Sequence, residues 1–510
     1  MNLATYNHFR ETESLAREIN KDEIADWLLN CGYFPEENIL PPSFTVSKDI
    51  KLQSTPYNQS INDLTKRQIA VVSYPKSTLT YRSFGVQHPW NYHDVVFYLH
   101  QNWDEVLNHI FHEENKVAAY SFPIPVSKRD SEDFSPLRTG RMIYEWIEMA
   151  EKDLILDAKK FNILARTDIT NFYPSVYTHG IGWAIHGRET AFNDKSFNLF
   201  GNKIDRLFQY SNDGRTNGIP IGSALSDLIA ETILADVDRK FSKESQGIEY
   251  AAVRFKDDYR ILCNSRDDAK KLLDILSDQL SQYNLSLNEN KTLFLSLPDG
   301  LYRDHNRAYF PHALREKDDI SFRDFEHTLL IVLDIHRKHP GTSIIEKFIA
   351  ELFDKKRSLK IKYSNQNHKK EKEVRKTISL LLLLKRESTK ILCHVLSIIE
   401  YLYLQNKKKD QELKDFLREA IKDELDRASK MSSVFEVVWL VFFCRYIHLG
   451  FKSEELNEIV QNENIKKNEF YKSIVNSKQE FFKDSKFSLF TKPRDCNDQT
   501  LAERFAIFKR

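Results

Sequence analysis

Between Ile163 and Cys263 the apolar positions fall in short runs with abrupt polar interruptions. Ile163 to Thr167 predicts a strand that ends at Asp168. Tyr250 to Phe255 and Tyr259 to Cys263 are two further runs, separated by Lys256-Asp257-Asp258, the signature of a strand, tight turn and strand. Leu272, Ile275, Leu276 and Leu280 then recur at helical spacing, one apolar stripe suited to pack beneath a sheet. From about residue 316 the apolar residues lie three and four apart, and after Gly341 the only glycine is Gly450 and the only proline Pro493. So long a stretch with so few breakers predicts packed helices. Ile378–Leu384 with Ile391–Tyr401, and Phe416–Ile421 with Val434–Tyr446, fit helical pairs, an array without a strict sequence period. Residues 1–150 hold most of the prolines and predict mixed short elements and loops. The chain thus divides into an N-terminal region (1–150), a strand-and-helix region (151–315) and an all-α region (316–510).

Charge adds a constraint. Lysine and arginine number 75 against 74 acids, a net charge of +1, so any nucleic-acid surface must come from local clustering. Lys355 to Lys376 is one such cluster, and reads either as a solvated loop or as a strand-binding surface. The five cysteines, Cys31, Cys263, Cys393, Cys444 and Cys496, are scattered, which favours a reducing compartment and makes no zinc site. Val434–Cys444, the most apolar stretch, has about half the ~20 residues of a membrane span, and Glu436 interrupts it. The N-terminal residues are polar and mixed in charge, unlike a secretory leader. The expectation is a cytoplasmic protein with no membrane partner.

The acids carry the chemistry. Two adjacent carboxylates in a turn repel each other, and a divalent cation removes that penalty. Asp168 at one strand end and Asp257-Asp258 in a neighbouring hairpin can hold two hard cations roughly 4 Å apart, as nucleotidyl transfer requires. Asp267-Asp268 serves as an internal control: it follows Ser265 at a helix start, where acids suit the helix dipole, and predicts no chemistry. Between the acidic blocks lies Asn217-Gly-Ile-Pro-Ile-Gly222-Ser223-Ala-Leu-Ser226-Asp227, a loop whose glycines allow close backbone approach, before a helix over Ala224 to Asp236.

In this order, the blocks resemble motifs A, B and C of reverse transcriptases, and Leu285 to Thr292 resembles motif D. The likeness covers about residues 160–295 and implies an α+β fingers-and-palm fold followed by a helical, repeat-like C-terminal domain. The flanks, Thr170-Asn-Phe-Tyr-Pro-Ser-Val-Tyr-Thr-His179 and Trp183-Ala-Ile-His186-Gly187, look like the abortive-infection (Abi) reverse transcriptases of bacterial antiphage defence, of the length carried by prophages. That resemblance implies template-independent DNA synthesis from dNTPs on a protein tyrosine, two magnesium ions (or manganese), a single-stranded DNA product attached to the chain, homo-oligomer formation, and infection-triggered growth arrest. It also implies roles. Asp168, Asp257 and Asp258 are the metal-binding catalytic acids. Tyr173 lies against the sugar 2′ position, where a ring excludes a ribose hydroxyl. Gly222 and Ser223 line the nucleotide pocket, and Lys291 lies near the incoming nucleotide. Ile221 stands where templated enzymes carry a glutamine that holds template and primer. Phe255, just before Lys256, replaces a tyrosine, a mild change.

Arg166, two residues before Asp168, should share its sheet face and reach phosphate, with Lys128, Arg129, Arg138 and Arg141 as further candidates. Of the 22 tyrosines the sequence selects no primer; Tyr6, Tyr33 and Tyr57 are candidates because the N-terminal region reads as flexible. Two alternatives stay open: a templated reverse transcriptase of retron or intron type, and an inactive scaffold binding RNA or protein.

Overall fold

The computed structural model describes residues 3–76, 80–123, 152–406 and 411–509. At its centre is a five-stranded sheet, order β3-β5-β6-β4-β7. The strands are β3 (Val117–Ala119), β4 (Ile163–Asp168), β5 (Tyr250–Phe255), β6 (Asp258–Cys263) and β7 (Leu293–Ser296). Only β3 and β5 run parallel; the other pairs are antiparallel. Side chains alternate between the two faces. Tyr259 and Ile261 face the long helix Ala224–Glu244 and are fully buried, as are Leu225, Leu228, Ile229 and Ile233 of that helix. Helix Arg266–Ser281 packs beside it with Leu272, Leu276 and Leu280 inward and Ile275 partly covered, the expected stripe. Ser265 caps this helix, its Oγ accepting from the Asp268 N–H at 3.0 Å, so Asp267-Asp268 has the structural place expected of it.

The N-terminal region is more helical than its prolines suggest. Helices Ala4–Glu18, Lys21–Asn30, Pro89–Gln101 and Trp103–Ile110 accompany a hairpin of β1 (Ala70–Pro75) and β2 (Tyr81–Val86). Asn20 caps the second helix through the Asp22 N–H, and Pro89 opens the third in its first turn, so prolines and polar residues here start helices rather than break them.

The C-terminal region is helical, as expected, with Gln411–Lys430 paired against Val434–Tyr446. The latter is buried from Phe435 to Cys444. It does not end in a free-standing array. The Trp439 indole donates to the Ile39 carbonyl at 3.3 Å, Phe435 packs edge-on against Tyr74, and Phe44 packs against Phe470 and Phe481. A single hydrophobic core therefore runs through all three regions. Of the basic stretch, Lys360 is buried with its ammonium on the Leu314 and Arg315 carbonyls, while Lys369 and Lys370 lie exposed in the first turns of helix Asn367–Glu387. Among the described residues no helix is long and apolar enough to cross a membrane.

Within the helical region Lys385, 1% exposed, sits between Glu424 at 2.6 Å and Glu436 at 2.5 Å. Lys385→Met removes the shared cation and leaves two buried carboxylates. The expected loss is about 3–5 kcal/mol, read as a lower urea midpoint; an unchanged midpoint would show that water reaches this site.

Candidate active site

The sheet brings the three acids together. Asp168, last residue of β4, stands in register with Asp258, first residue of β6. The Ile169 N–H donates to the Asp257 carbonyl at 2.9 Å and ties the turn to the end of β4. The turn contains a non-glycine residue in the left-handed region, Lys256 at φ 52°. Such a conformation costs about 1–3 kcal/mol and persists only where the surroundings over-determine it. Here they do. The Lys256 N–H donates to Ser121 Oγ at 2.7 Å, its carbonyl accepts from Arg254 at 3.2 Å, and its ammonium lies 3.0 and 3.1 Å from the two Asp227 oxygens.

Beneath the turn lies a closed polar network. Arg254, 1% exposed, donates to both oxygens of Glu231 at 2.9 and 3.0 Å and through Nε to Asp238 at 2.8 Å. Ser121 donates to Glu231 and Tyr259 to Asp238. These residues were not singled out from sequence. The available signal was an arginine in the middle of an apolar strand, facing two acids seven apart on one helix face.

The opposite face carries the three acids, and burial and mutual repulsion penalise Asp257 and Asp258. Burial pushes the Asp257 carboxyl up, and the charge of Asp168 adds to it. Burial also raises Asp258, against the pull of Arg260 and Arg166. Asp168 Oδ2 accepts from the Lys291 ammonium, while its Oδ1 is buried without a hydrogen-bond partner. Among the described residues no three His, Cys, Asp or Glu side chains are poised as a ready-made ion cage. Lys291 stands beside Asp168 where a cation would be held. The donor set nevertheless suits magnesium: hard carboxylate oxygens, one of them orphaned, and charges that repel one another until a cation arrives. Asp168, Asp257 and Asp258 would hold it.

Arg166 shares the face of Asp168, as expected, and pairs across the strands with Arg260, one step behind Asp168 and Asp258. Its Nε is buried and unpartnered. Burial brings Arg260 down to about 10, with Arg166 and Arg303 pushing the same way and Asp258 opposing. Lys128, Arg129, Arg138 and Arg141 lie outside the described residues.

Tyr173 lies 8% exposed with its hydroxyl donating to Asp227, which also holds Lys256. Asp227 thus joins all three motifs, a role its place in a helix start concealed. Ser223 is the N-cap of helix Ala224–Glu244, accepting from the Ser226 N–H at 3.1 Å. Gly222 has φ 124°, and a Cβ there would meet Phe84 and Pro35 at 2.8 Å, so only glycine fits. Next to it, the Ile221 carbonyl accepts from the Gly85 N–H at 3.0 Å, which joins β2 to the loop.

The candidate primers fare differently. Tyr33 is buried at 1% exposure with its hydroxyl on the Gln87 carbonyl at 2.5 Å, so the flexible surroundings expected for it are absent. Tyr57 is 37% exposed but packed among Trp90, His93 and Phe487. Tyr6 is half-buried on helix Ala4–Glu18 beside Phe9.

Residues 106–323, which span this sheet and its acids, match the family model described as reverse transcriptase (RNA-dependent DNA polymerase). Residues 106–323 thus carry a reverse-transcriptase domain. No curated protein matches it. Similar solved structures include apo telomerase from Candida tropicalis truncated from its C-terminal domain (14% identity, TM-score 0.30), where 49% of this chain aligns with 52% of that one. Apo telomerase from Candida tropicalis aligns at 13% identity and TM-score 0.31 over 81% of this chain and 70% of that one. Candida albicans telomerase with a TWJ fragment of telomeric RNA aligns at 12% and 0.29 over 74% and 65%. The chain therefore spans about half the length of the first of these.

If the acids hold metal, millimolar magnesium should raise the melting temperature of the wild-type protein. Asp257→Asn with Asp258→Asn should abolish that shift, and Lys291→Met should bring it on at lower magnesium. A shift that survives the double asparagine variant would place the ion elsewhere.

Proposed function

We propose that this protein is a DNA polymerase that joins deoxynucleotides at Asp168, Asp257 and Asp258, starts on a tyrosine of its own chain, uses no template, and acts in abortive infection against phage. The single observation that carries the template-free part is the junction of β2 with the loop at Ile221. The Ile221 side chain offers no polar group to a template, and its carbonyl is taken by the Gly85 N–H.

The reaction forms a bond from a hydroxyl oxygen to the nucleotide α-phosphorus and breaks the α–β bridge, releasing pyrophosphate. Bound magnesium would lower the pKa of the attacking hydroxyl and offset charge on the leaving pyrophosphate. The chain's residues position the rest. The three carboxylates fix where hydroxyl and α-phosphate meet. Tyr173, held by Asp227, presents its ring to the sugar 2′ position. The space over Gly222 is taken by Phe84 and Pro35, so its glycine serves the packing of the loop rather than a nucleotide, with Ser223 ordering the following helix. Lys291, freed from Asp168, offsets phosphate charge. Arg166, one strand step behind Asp168, suits a phosphate of the growing strand. Defence against phage and assembly into oligomers rest on the likeness of the residues around Asp168 to Abi enzymes.

A second reading, templated synthesis, is favoured by the description of the matching family as RNA-dependent. The two separate in one assay. With labelled dNTPs and magnesium alone, label should migrate with the protein on a denaturing gel, and mass spectrometry should locate it on tyrosine. Label that appears only after primer and template are added supports the second reading. Asp257→Ala with Asp258→Ala should abolish incorporation and phage resistance; resistance without incorporation would favour a scaffold role. Tyr173→Ala should cut preference for dNTPs over rNTPs by about 10- to 100-fold, and Asp227→Asn should move it in the same direction.

A further inference from the structure

Trp183-Ala-Ile-His186-Gly187 takes no part in the chemistry above, yet it borders a cavity of about 340 Å³. The other walls come from Arg188, from Asp236, Arg239 and Lys240 on helix Ala224–Glu244, and from Tyr283. Asp236 lies nine residues beyond Asp227, about 13 Å along the helix, so the cavity is separate from the catalytic acids.

Its charge is unbalanced. Asp236 accepts from Arg239 at 2.5 Å, from Lys240 at 2.7 Å and from the Tyr283 hydroxyl, and these partners hold its carboxyl below the usual range despite burial. It is therefore ionised, with its oxygens committed. The two histidines of the wall add no charge at neutral pH, because burial pushes both His109 and His186 down. His109 Nε2 donates to the Thr232 carbonyl at 2.8 Å, which leaves Nδ1 as an acceptor. Arg188, Arg239 and Lys240 against Asp236 leave two positive charges. A phosphomonoester carries about −1.5 to −2 at neutral pH.

The cavity also has a flat aromatic element. The Arg188 guanidinium lies 4.6 Å from the Trp183 ring centre, and Tyr177 packs on the same indole at 5.5 Å. A guanidinium over an indole ring is a common platform for a base. Gly187, at φ 82°, has no atom within 4 Å of where a Cβ would sit, so this edge is open. The volume lies within the range of small-ligand sites.

We propose that this cavity binds a nucleoside 5′-monophosphate unit, its base on the Arg188–Trp183 stack and its phosphate between Arg188, Arg239 and Lys240. The unit comes either from a free mononucleotide or from the 5′-phosphorylated end of a DNA strand. The site stands whether or not synthesis is template-free.

The test uses the full chain carrying Asp257→Ala and Asp258→Ala, in EDTA, so that metal-dependent binding at the acids is removed. The probes are dAMP, deoxyadenosine, inorganic phosphate and a ten-residue oligonucleotide with or without a 5′-phosphate. Expected is saturable binding of dAMP or of the 5′-phosphorylated strand, at least tenfold tighter than of deoxyadenosine, inorganic phosphate or the 5′-hydroxyl strand. Tighter binding of the strand assigns the site to a DNA end, and tighter binding of dAMP assigns it to free nucleotide. Arg188→Glu, an exposed position, should weaken binding at least tenfold without lowering the melting temperature, and Trp183→Leu should weaken binding likewise. With the acids restored, Arg188→Glu should still incorporate labelled nucleotide, so loss of this site and loss of polymerase activity are read separately. Equal binding of phosphorylated and unphosphorylated probes, no binding in EDTA, or binding indifferent to Arg188→Glu would overturn the assignment.

Discussion

The geometry of the site depends on one buried cation. Arg254 sits inside the molecule with Glu231 and Asp238, each at most 2% exposed, and links strand β5 to helix Ala224–Glu244. The two carboxylates hold its guanidinium well above the usual arginine range, so it stays charged. A buried ion triad of this kind is weak evidence for stability, because desolvation offsets much of the attraction. What it does supply here is position. It fixes the helix against the hairpin, receives the Lys256 carbonyl, and through Glu231 and Ser121 grips the Lys256 N–H. Together with the Lys256 ammonium on Asp227 and the Ile169 N–H on the Asp257 carbonyl, it holds the strained turn in one shape. The place of Asp257 and Asp258 follows from that shape.

The two faces of the sheet differ in how their charges are met. On the helix face each charged group has an opposite within hydrogen-bonding distance. On the other face Asp168, Asp257 and Asp258 crowd together, and Arg166 stands opposite Arg260 in register. Like charges directly across strands destabilise a sheet. Folding alone would favour apolar residues there, as at Leu164 and Leu262 further along the same face. The crowded carboxylates are what a bound metal ion would neutralise. Lys291 on Asp168 shows the same imbalance being met from within.

Much of this was legible in the sequence, and the physical reason is range. Strands β4, β5 and β6 and the turn between the last two are written in neighbouring residues, because alternation and turn chemistry act over a few positions. The stripe at Leu272, Leu276 and Leu280 is equally local. Helix Ala224–Glu244 runs eight residues past its expected end at Asp236. Asp236 and Asp238 look like surface acids until Tyr283, Arg254 and Tyr259 arrive from elsewhere to satisfy them. Tyr33 was expected in flexible surroundings, but Tyr92, 59 residues on in the chain, packs edge-on against its ring. Periodicity shows that Val434–Tyr446 must be buried on every side, but not that its tryptophan meets Ile39, 400 residues away.

That long-range packing bears on the site itself. Phe435 of the buried helix packs edge-on against Tyr74 of β1 at 4.9 Å, and Tyr74 against Phe84 of β2 at 5.7 Å. Phe84 in turn fills the space beside Gly222, and its neighbour Gly85 donates to Ile221. Asn468, further along the helical region, donates to the Val71 carbonyl of β1 at 3.0 Å. An unbroken line of packed rings thus runs from the C-terminal helices, through the hairpin, to the loop before helix Ala224–Glu244. Close-packed side chains transmit displacement because there are few voids to absorb it. The hairpin has two strands, and an isolated pair is marginally stable at best. Its hold on the Ile221 loop therefore comes from the helices behind it. The C-terminal half acts as the buttress that sets how closely β2 approaches this loop, and its packing and the shape of the site are one mechanical problem.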